Sequence, residues 1–197
     1  MRRVVVINHV TLDGVMQGPG RPDEDRRGGF EHGGWAMSGS DDVVGAAMGE
    51  RMADSRGLLF GRRTYEDLLS YWNTQESPFK DALNMAPKYV ASRTLRGPLP
   101  WPNTTVLDDD VAHAVAELKK EPGKDLQIMG SGELIRALMP RGVIDEYLLL
   151  IHPLVLGSGR RLFADGSPAT NLRLVDSKTA TTGVVIATYQ PVERPAA

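Results

Sequence analysis

Three short stretches carry residues suited to holding an anion: Gly61-Arg62-Arg63-Thr64, Ser92-Arg93-Thr94 and Gly130-Ser131-Gly132. Guanidinium groups bind phosphate through paired N–H donors, hydroxyls add further donors, and glycines let the main chain approach a phosphate with no Cβ in the way. The third stretch closes an apolar run (Leu126, Ile128, Met129) and precedes apolar residues at Leu134, Ile135, Leu138 and Met139, the spacing of an amphipathic helix. A helix start adds unpartnered backbone N–H groups and the positive end of a dipole, so the junction can cradle a pyrophosphate. The plainer reading is a tight strand-to-helix turn with Ser131 as N-cap, since Ile135 stands where a dinucleotide fingerprint has its third glycine.

Groups for proton chemistry are fewer. Asp13, in Thr11-Leu12-Asp13-Gly14, serves either as turn chemistry or as a hydrogen-bond partner for substrate or ribose. Asp41 and Asp42 open a helix, where an acidic side chain is more often a cap. His9 and His152 lie on predicted strands and His113 on a helix, at no triad or metal spacing, which suits satisfied core or surface groups. No cysteine is present, which excludes disulfides, thiol nucleophiles and Cys-ligated zinc and fits a reducing compartment.

The elements that must position these groups follow from periodicity. Val4 to Val10 is a β-branched run that predicts a central strand. Residues 17 to 39, rich in glycine and charge, predict a long loop in which Phe30 and Trp35 either pin the loop to the core or wall a ligand site. A helix with Val44, Met48 and Met52 inward follows, then a strand at Gly57-Leu58-Leu59-Phe60 and a helix opened by Gly61-Arg62-Arg63-Thr64. A turn or short helix around Phe79 to Met85 leads to strands at Lys88 to Ala91 and Thr104 to Leu107. Asp108, Asp109 and Asp110 favour the next helix start, and Lys119 and Lys120 favour its end. Leu126 to Met139 supplies a further strand and helix. Ile144 to Leu156 reads as a strand buried on both faces and interrupted at Pro153, and Asn171 to Lys178 with Gly183 to Tyr189 as an antiparallel pair. Strand and helix alternate, so the fold class is α/β with a mainly parallel central sheet and antiparallel strands at its end. If the strands are parallel, all three anion-binding stretches lie on one edge of the sheet.

The chain has 197 residues, 41% of them hydrophobic and 24% charged, which predicts one domain over residues 1 to 190 and a disordered tail over residues 191 to 197. A net charge of −2 gives no long-range attraction for nucleic acid or an anionic membrane, so neither is expected as a partner. The N-terminal apolar run is too short for a signal peptide and no stretch approaches the roughly 18 apolar residues of a membrane span, so a cytoplasmic protein is expected.

These motifs together resemble the dihydrofolate reductase superfamily, and within it the reductase domain of riboflavin biosynthesis and its free-standing relatives. The opening strand with Thr11-Leu12-Asp13-Gly14 is similar to that branch's first strand and S-x-D-G turn, with threonine for serine. Gly61 to Glu66 resembles the G-R-x-T-x-E segment of dihydrofolate reductases, Ser92-Arg93-Thr94 the strand end that holds an adenosine 2′-phosphate, and Gly130-Ser131-Gly132 the pyrophosphate-binding Gly pair. Residues 144 to 163, IDEYLLLIHPLVLGSGRRLF, resemble the signature I-D-E-x-x-L-x-x-x-P-x-x-L-G-x-G-x-x-L-F.

The resemblance implies a three-layer α/β/α fold and NADPH as cofactor. Arg62, Arg63 and Thr64 with Ser92 and Arg93 would take the 2′-phosphate, with Gly61 and Thr94 completing the set. Gly130, Ser131, Gly132, Glu133 and Leu134 would take the pyrophosphate, and the nicotinamide would lie near Val6, Asn8 and the Thr11-to-Gly14 turn. Asp13 and Asp42 are the candidate catalytic carboxylates, and Asp13 and Trp35 the candidate substrate contacts. The implied substrate is a small heterocycle, either dihydrofolate-like or like 5-amino-6-(5-phosphoribosylamino)uracil. The deaminase step that accompanies that reduction needs a C-x-x-C zinc site, which this chain lacks. A non-catalytic NADPH-binding regulator of the same fold is the alternative. The apolar last strands and the habit of relatives imply a homodimer.

Overall fold

The computed structural model describes residues 1–107 and 110–192. Eight strands form one sheet: β1 (Val4–Thr11), β2 (Ser55–Gly61), β3 (Lys88–Ala91), β4 (Thr104–Leu107), β5 (Asp125–Met129), β6 (Glu146–His152), β7 (Asn171–Thr179) and β8 (Val185–Val192). Their order is β4-β3-β2-β5-β1-β6-β8-β7. The first six strands run parallel, while β8 pairs antiparallel to β6 and to β7. The helices are α1 (Asp42–Asp54), α2 (Arg62–Asn73), α3 (Pro78–Met85), α4 (Val111–Lys120) and α5 (Gly132–Leu138).

Alternation along β1 assigns its side chains to two cores. Val4, Val6 and Val10 pack with Ile128, Leu134, Ile135 and Leu138, on the face covered by α4 and α5. Val5 and Ile7 pack with Val44 and Ala47 of α1 on the opposite face, where α2 and α3 cover Leu58, Phe60 and Val90. This is the expected three-layer arrangement, and it fixes His9 on the α1 face and Asn8 on the α5 face.

Helix starts carry the predicted capping chemistry at two places. Asp110 caps α4, its carboxylate accepting from the backbone N–H groups of Ala112 and His113 at 3.1 Å. Asp108 and Asp109 lie outside the described residues, as do residues 193–197 of the expected tail. Asp41 Oδ1 accepts from Val44 N at 2.8 Å, and its Oδ2 accepts from the backbone N–H and hydroxyl of Thr181. The expected strand from Ile144 to Leu156 is shorter, ending at His152 before Pro153, which has no N–H to continue a ladder.

The Ile144-Asp145-Glu146 part of the long C-terminal signature is a structural latch at the amino-terminal edge of the sheet. Asp145 Oδ2 accepts from Val4 N at 2.8 Å, and Lys119 donates to its other oxygen at 2.8 Å. Glu146 is buried and accepts from Arg3, Arg51 and Gln190. No helix among the described residues is long and apolar enough to cross a membrane.

Candidate functional site

The carboxyl-terminal edge of the sheet brings together the three stretches expected to hold an anion. β2 lies between β5 and β3, so Gly61, Gly130 and Ser92 follow the ends of adjacent parallel strands. Two side-chain bonds join them: the Gly61 N–H donates to Ser131 Oγ at 2.8 Å, and Arg62 Nη1 donates to Thr94 Oγ1 at 2.8 Å. Arg62 also pairs with Glu66 at 2.7 Å. Arg63 and Arg93 are exposed and have no protein partner among the described residues, which leaves two guanidinium groups free beside this junction.

The turn after β5 corrects the N-cap expectation for Ser131. Ser131 has φ 62° and ψ 53°, and its hydroxyl makes no cap bond to α5 because it accepts from Gly61 instead. Gly130 is also left-handed, with φ 64°. A positive φ is unusual for a residue with a side chain and costs on the order of 1 kcal/mol, so the bond to Gly61 helps to hold a strained turn. A Cβ on Gly130 would lie 3.3 Å from Thr64 Cγ2, and one on Gly132 2.9 Å from Met16 Sδ. Thr64 of α2 and Met16 of the loop after β1 thus pack close against the two glycines, and the left-handed backbone of Gly130 favours glycine there.

A slot opens between β1 and β5. Their pairing stops at Ile7 and Met129, while β1 continues beside β6 as far as Thr11 and His152. Beyond Ile7 the β5-facing edge of β1 has no strand partner, because Gly130 and Ser131 turn the chain out of the sheet. Two side chains flank this stretch. Asn8 is 4% exposed on the α5 face, and its Nδ2 is a buried donor without a partner among the described residues. His9 on the α1 face is the one residue of β1 that is not buried.

The loop after β1 crosses over this edge and is firmly held. Gln17 donates to the carbonyls of Asp25 and Arg27 and accepts from Arg160 N at 3.0 Å. Arg21 reaches α2, donating to Asp67 at 2.6 Å and lying 4.5 Å above the Tyr71 ring. Phe30 and Trp35 are buried with Val15. Trp35 thus pins the loop, which corrects its expected substrate contact: its Nε1 donates to Gln17 O at 2.7 Å, and its ring meets His152 edge-on at 5.1 Å.

Asp13 is likewise occupied. Its carboxylate accepts from Thr11 Oγ1 at 2.6 Å, Leu156 N at 3.2 Å and Gly157 N at 2.9 Å, with Arg161 at 3.7 Å. The Thr11 hydroxyl and the two backbone N–H groups hold this candidate catalytic carboxylate down at about 2, so it is ionised at neutral pH. Asp13 instead fastens the Gly157 turn to the end of β1. Because its pKa is depressed, this stabilisation is present above the ordinary carboxylate range and is lost as pH falls from about 4 towards 2. Asp13→Ala is expected to speed hydrogen exchange at the Leu156 and Gly157 amides by tenfold or more at pH 7. Unchanged exchange there would remove the latch role.

Other expected residues are placed as follows. Val6 is fully buried and paired on both sides, with Ile128 and Tyr147, so it has no surface for a cofactor. The Leu134 side chain is in the core, leaving only its backbone at the turn. The Glu133 carboxylate is exposed and accepts from Arg136 at 2.5 Å and Arg160 at 3.1 Å, so any phosphate contact there falls to its backbone N–H. Asp42 is exposed at the first position of α1. No group of three or more metal-ligating side chains occurs among the described residues.

Comparison with known proteins gives this geometry a context. The RibD C-terminal domain family model matches residues 2–186. The uncharacterized protein YyaP of Bacillus subtilis is 31% identical over 194 residues, covering 95% of this chain and 94% of its own. Among solved structures, a protein assigned to riboflavin biosynthesis in Shewanella sp. PV-4 superposes with a TM-score of 0.71 at 21% identity, over 97% of this chain and 99% of that one. A diaminohydroxyphosphoribosylaminopyrimidine deaminase/5-amino-6-(5-phosphoribosylamino)uracil reductase of Thermotoga maritima superposes with a TM-score of 0.63 at 13% identity, over 97% of this chain and 57% of that one.

Proposed function

We propose that this chain, which belongs to the RibD C-terminal domain family, is an NADPH-dependent reductase of a small heterocyclic substrate carrying a C=N or carbonyl bond. The observation that carries the reading is the joining of three glycine- and arginine-bearing turns at one sheet edge, with Arg63 and Arg93 exposed beside them and unpaired among the described residues. The adenosine 2′-phosphate belongs with Arg63, Arg93 and the Ser92 and Thr94 hydroxyls. The pyrophosphate belongs at the Gly130-Ser131-Gly132 turn, on the backbone N–H groups that open α5. The nicotinamide belongs in the slot beyond Ile7, where the orphaned Asn8 Nδ2 supplies a donor for its carboxamide oxygen.

NADPH supplies the hydride when bound. The chain's part is to orient and to exclude water. Asn8 and the unpaired edge of β1 fix the plane of a ring in the slot. Gln17, Arg21 and Trp35 hold the first loop across the opening, and Met16 closes against Gly132. The substrate belongs on the α1 face, beside the half-buried His9. Substrates resembling dihydrofolate or 5-amino-6-(5-phosphoribosylamino)uracil fit this reading, and a homodimer paired along the exposed β7 edge completes it.

Equilibrium titration with NADPH and with NADH, read by tryptophan fluorescence and calorimetry, tests the cofactor. NADPH is expected to bind at least about tenfold more tightly, a difference of about 1.4 kcal/mol. Binding of neither nucleotide would overturn the reductase reading.

A further inference from the structure

His9 and His152 form a buried pair that the cofactor cradle does not use. His9 Nδ1 lies 2.9 Å from His152 Nε2, and the rings are 5.1 Å apart. The register explains the meeting: both side chains stand on the α1 face of adjacent parallel strands, with His152 opposite Thr11. His152 is packed tightly from the other side. Trp35 meets it edge-on, and a Cβ on Gly39 would fall 2.6 Å from its Nδ1. His152 therefore cannot turn away, and it fixes which nitrogen of His9 is engaged. The other nitrogen of His9, Nε2, belongs to the one half-buried side chain of β1, on the part of the strand that runs on beyond its pairing with β5.

We propose that His9 is the proton donor of the reduction and that His152 is the positioning residue that aims it. The proposal rests on the reductase reading. When a C=N bond accepts a hydride at carbon, its π pair passes to nitrogen, which must take a proton. His9 in its imidazolium form donates Nδ1–H to His152 Nε2 and presents Nε2–H to the slot. The N–H bond at Nε2 breaks as the substrate N–H bond forms, and His9 is left neutral with Nδ1–H still donating to His152. Solvent then restores the proton. Among the described residues no nearby carboxylate competes for the role: Asp13 is ionised and latched, Asp41 is a helix cap, and Asp42 is exposed at the start of α1.

Burial and the neighbouring His152 lower the pKa of His9 to about 4, and burial lowers that of His152. Trp35 and Gly39 of the first loop pack against His152, and among the described residues no charged group outside the pair acts on either ring. The acid form is therefore scarce at neutral pH, and turnover should rise as pH falls from 8 to 5, by close to tenfold per unit.

The test uses the full chain with NADPH and, separately, dihydrofolate and 5-amino-6-(5-phosphoribosylamino)uracil as probes. His9→Gln retains an amide donor but cannot titrate. It is expected to bind NADPH within twofold of the parent, to lower kcat by about 100-fold, and to flatten the pH profile. His152→Gln is expected to lower kcat less while leaving the slope in place. A His9→Gln protein with the parent's kcat and pH slope overturns the proton donor and leaves the reductase reading intact. NADPH binding by the parent with no oxidation on either probe overturns both for these substrates. A ¹⁵N-histidine titration gives a readout independent of turnover: the probe that is reduced should shift the His9 Nε2 resonance, and an unmoved resonance counts against the proposal.

Discussion

Glu146→Ala is expected to lower the unfolding free energy by about 3 kcal/mol while leaving NADPH affinity unchanged. Glu146 is 3% exposed at the amino-terminal end of β6, and it accepts from Arg51 at 2.8 Å, Arg3 at 3.1 Å and Gln190 at 3.1 Å. Removing one partner of such a buried ion group costs about 3–5 kcal/mol, because the remaining charges lose their compensation inside the protein. The lower end applies because both arginines keep access to water, with side chains 24% and 47% exposed, and Arg3 retains Asp125. Glu146→Gln keeps a group of the same size and an acceptor for Arg51, so it should cost less than half as much. Urea unfolding at constant m-value measures both. A Glu146→Ala midpoint within error of the parent would mean that water replaces the carboxylate without penalty. The expected silence at the cofactor follows from position: the Glu146 end of β1 and β6 is the one opposite Ser131, Gly61 and Thr94.

That prediction also shows what the long signature encodes. As a string, residues 144 to 163 pointed to one family, and the chain belongs to it. The string does not separate structural from chemical residues. Asp145 and Glu146 tie the amino-terminal edge together, whereas His152 and Arg160 reach the opposite edge and the first loop. The parallel sheet was legible because strand and helix alternate with clear periods, and the terminal antiparallel pair because no helix intervenes between its strands. The convergence of the three glycine and arginine turns followed from parallelism alone. What stayed hidden depended on lateral neighbours. The pairing of His9 with His152 requires β1 to sit beside β6 across more than 140 residues of sequence, which no local period reveals. Gln17 showed no signal beyond its place in a glycine-rich loop, yet its amide bridges that loop to Arg160. Ser131 looked like a cap because serine before a helix usually is one. Its left-handed backbone and the adjacent Gly61 N–H redirect the hydroxyl.

The double substitution Arg63→Ala with Arg93→Ala is expected to weaken NADPH binding about 100-fold and NADH binding less than threefold. Both side chains are exposed and unpaired among the described residues, so neither variant breaks an existing protein contact, and the loss reports the ligand alone. A hydrogen bond to a charged group contributes about 1.5–3 kcal/mol. Screening by salt at an open site brings each arginine to the lower bound, about tenfold apiece and near additivity for the pair. Arg62 makes a poorer probe. It donates to Thr94 and pairs with Glu66, so its removal would loosen the junction of α2 with the end of β3 and weaken both nucleotides together. The NADPH-to-NADH ratio is the decisive quantity, because NADH lacks only the 2′-phosphate. The ratio should fall towards one in the double variant, and raising the salt concentration should lower it in the parent but hardly in the variant. If the two nucleotides weakened equally, the arginines would be serving the shared diphosphate, and the 2′-phosphate would have to be sought elsewhere along the edge. If neither weakened, the free guanidinium groups would be ordinary surface charges and the cradle would lose its selectivity for NADPH.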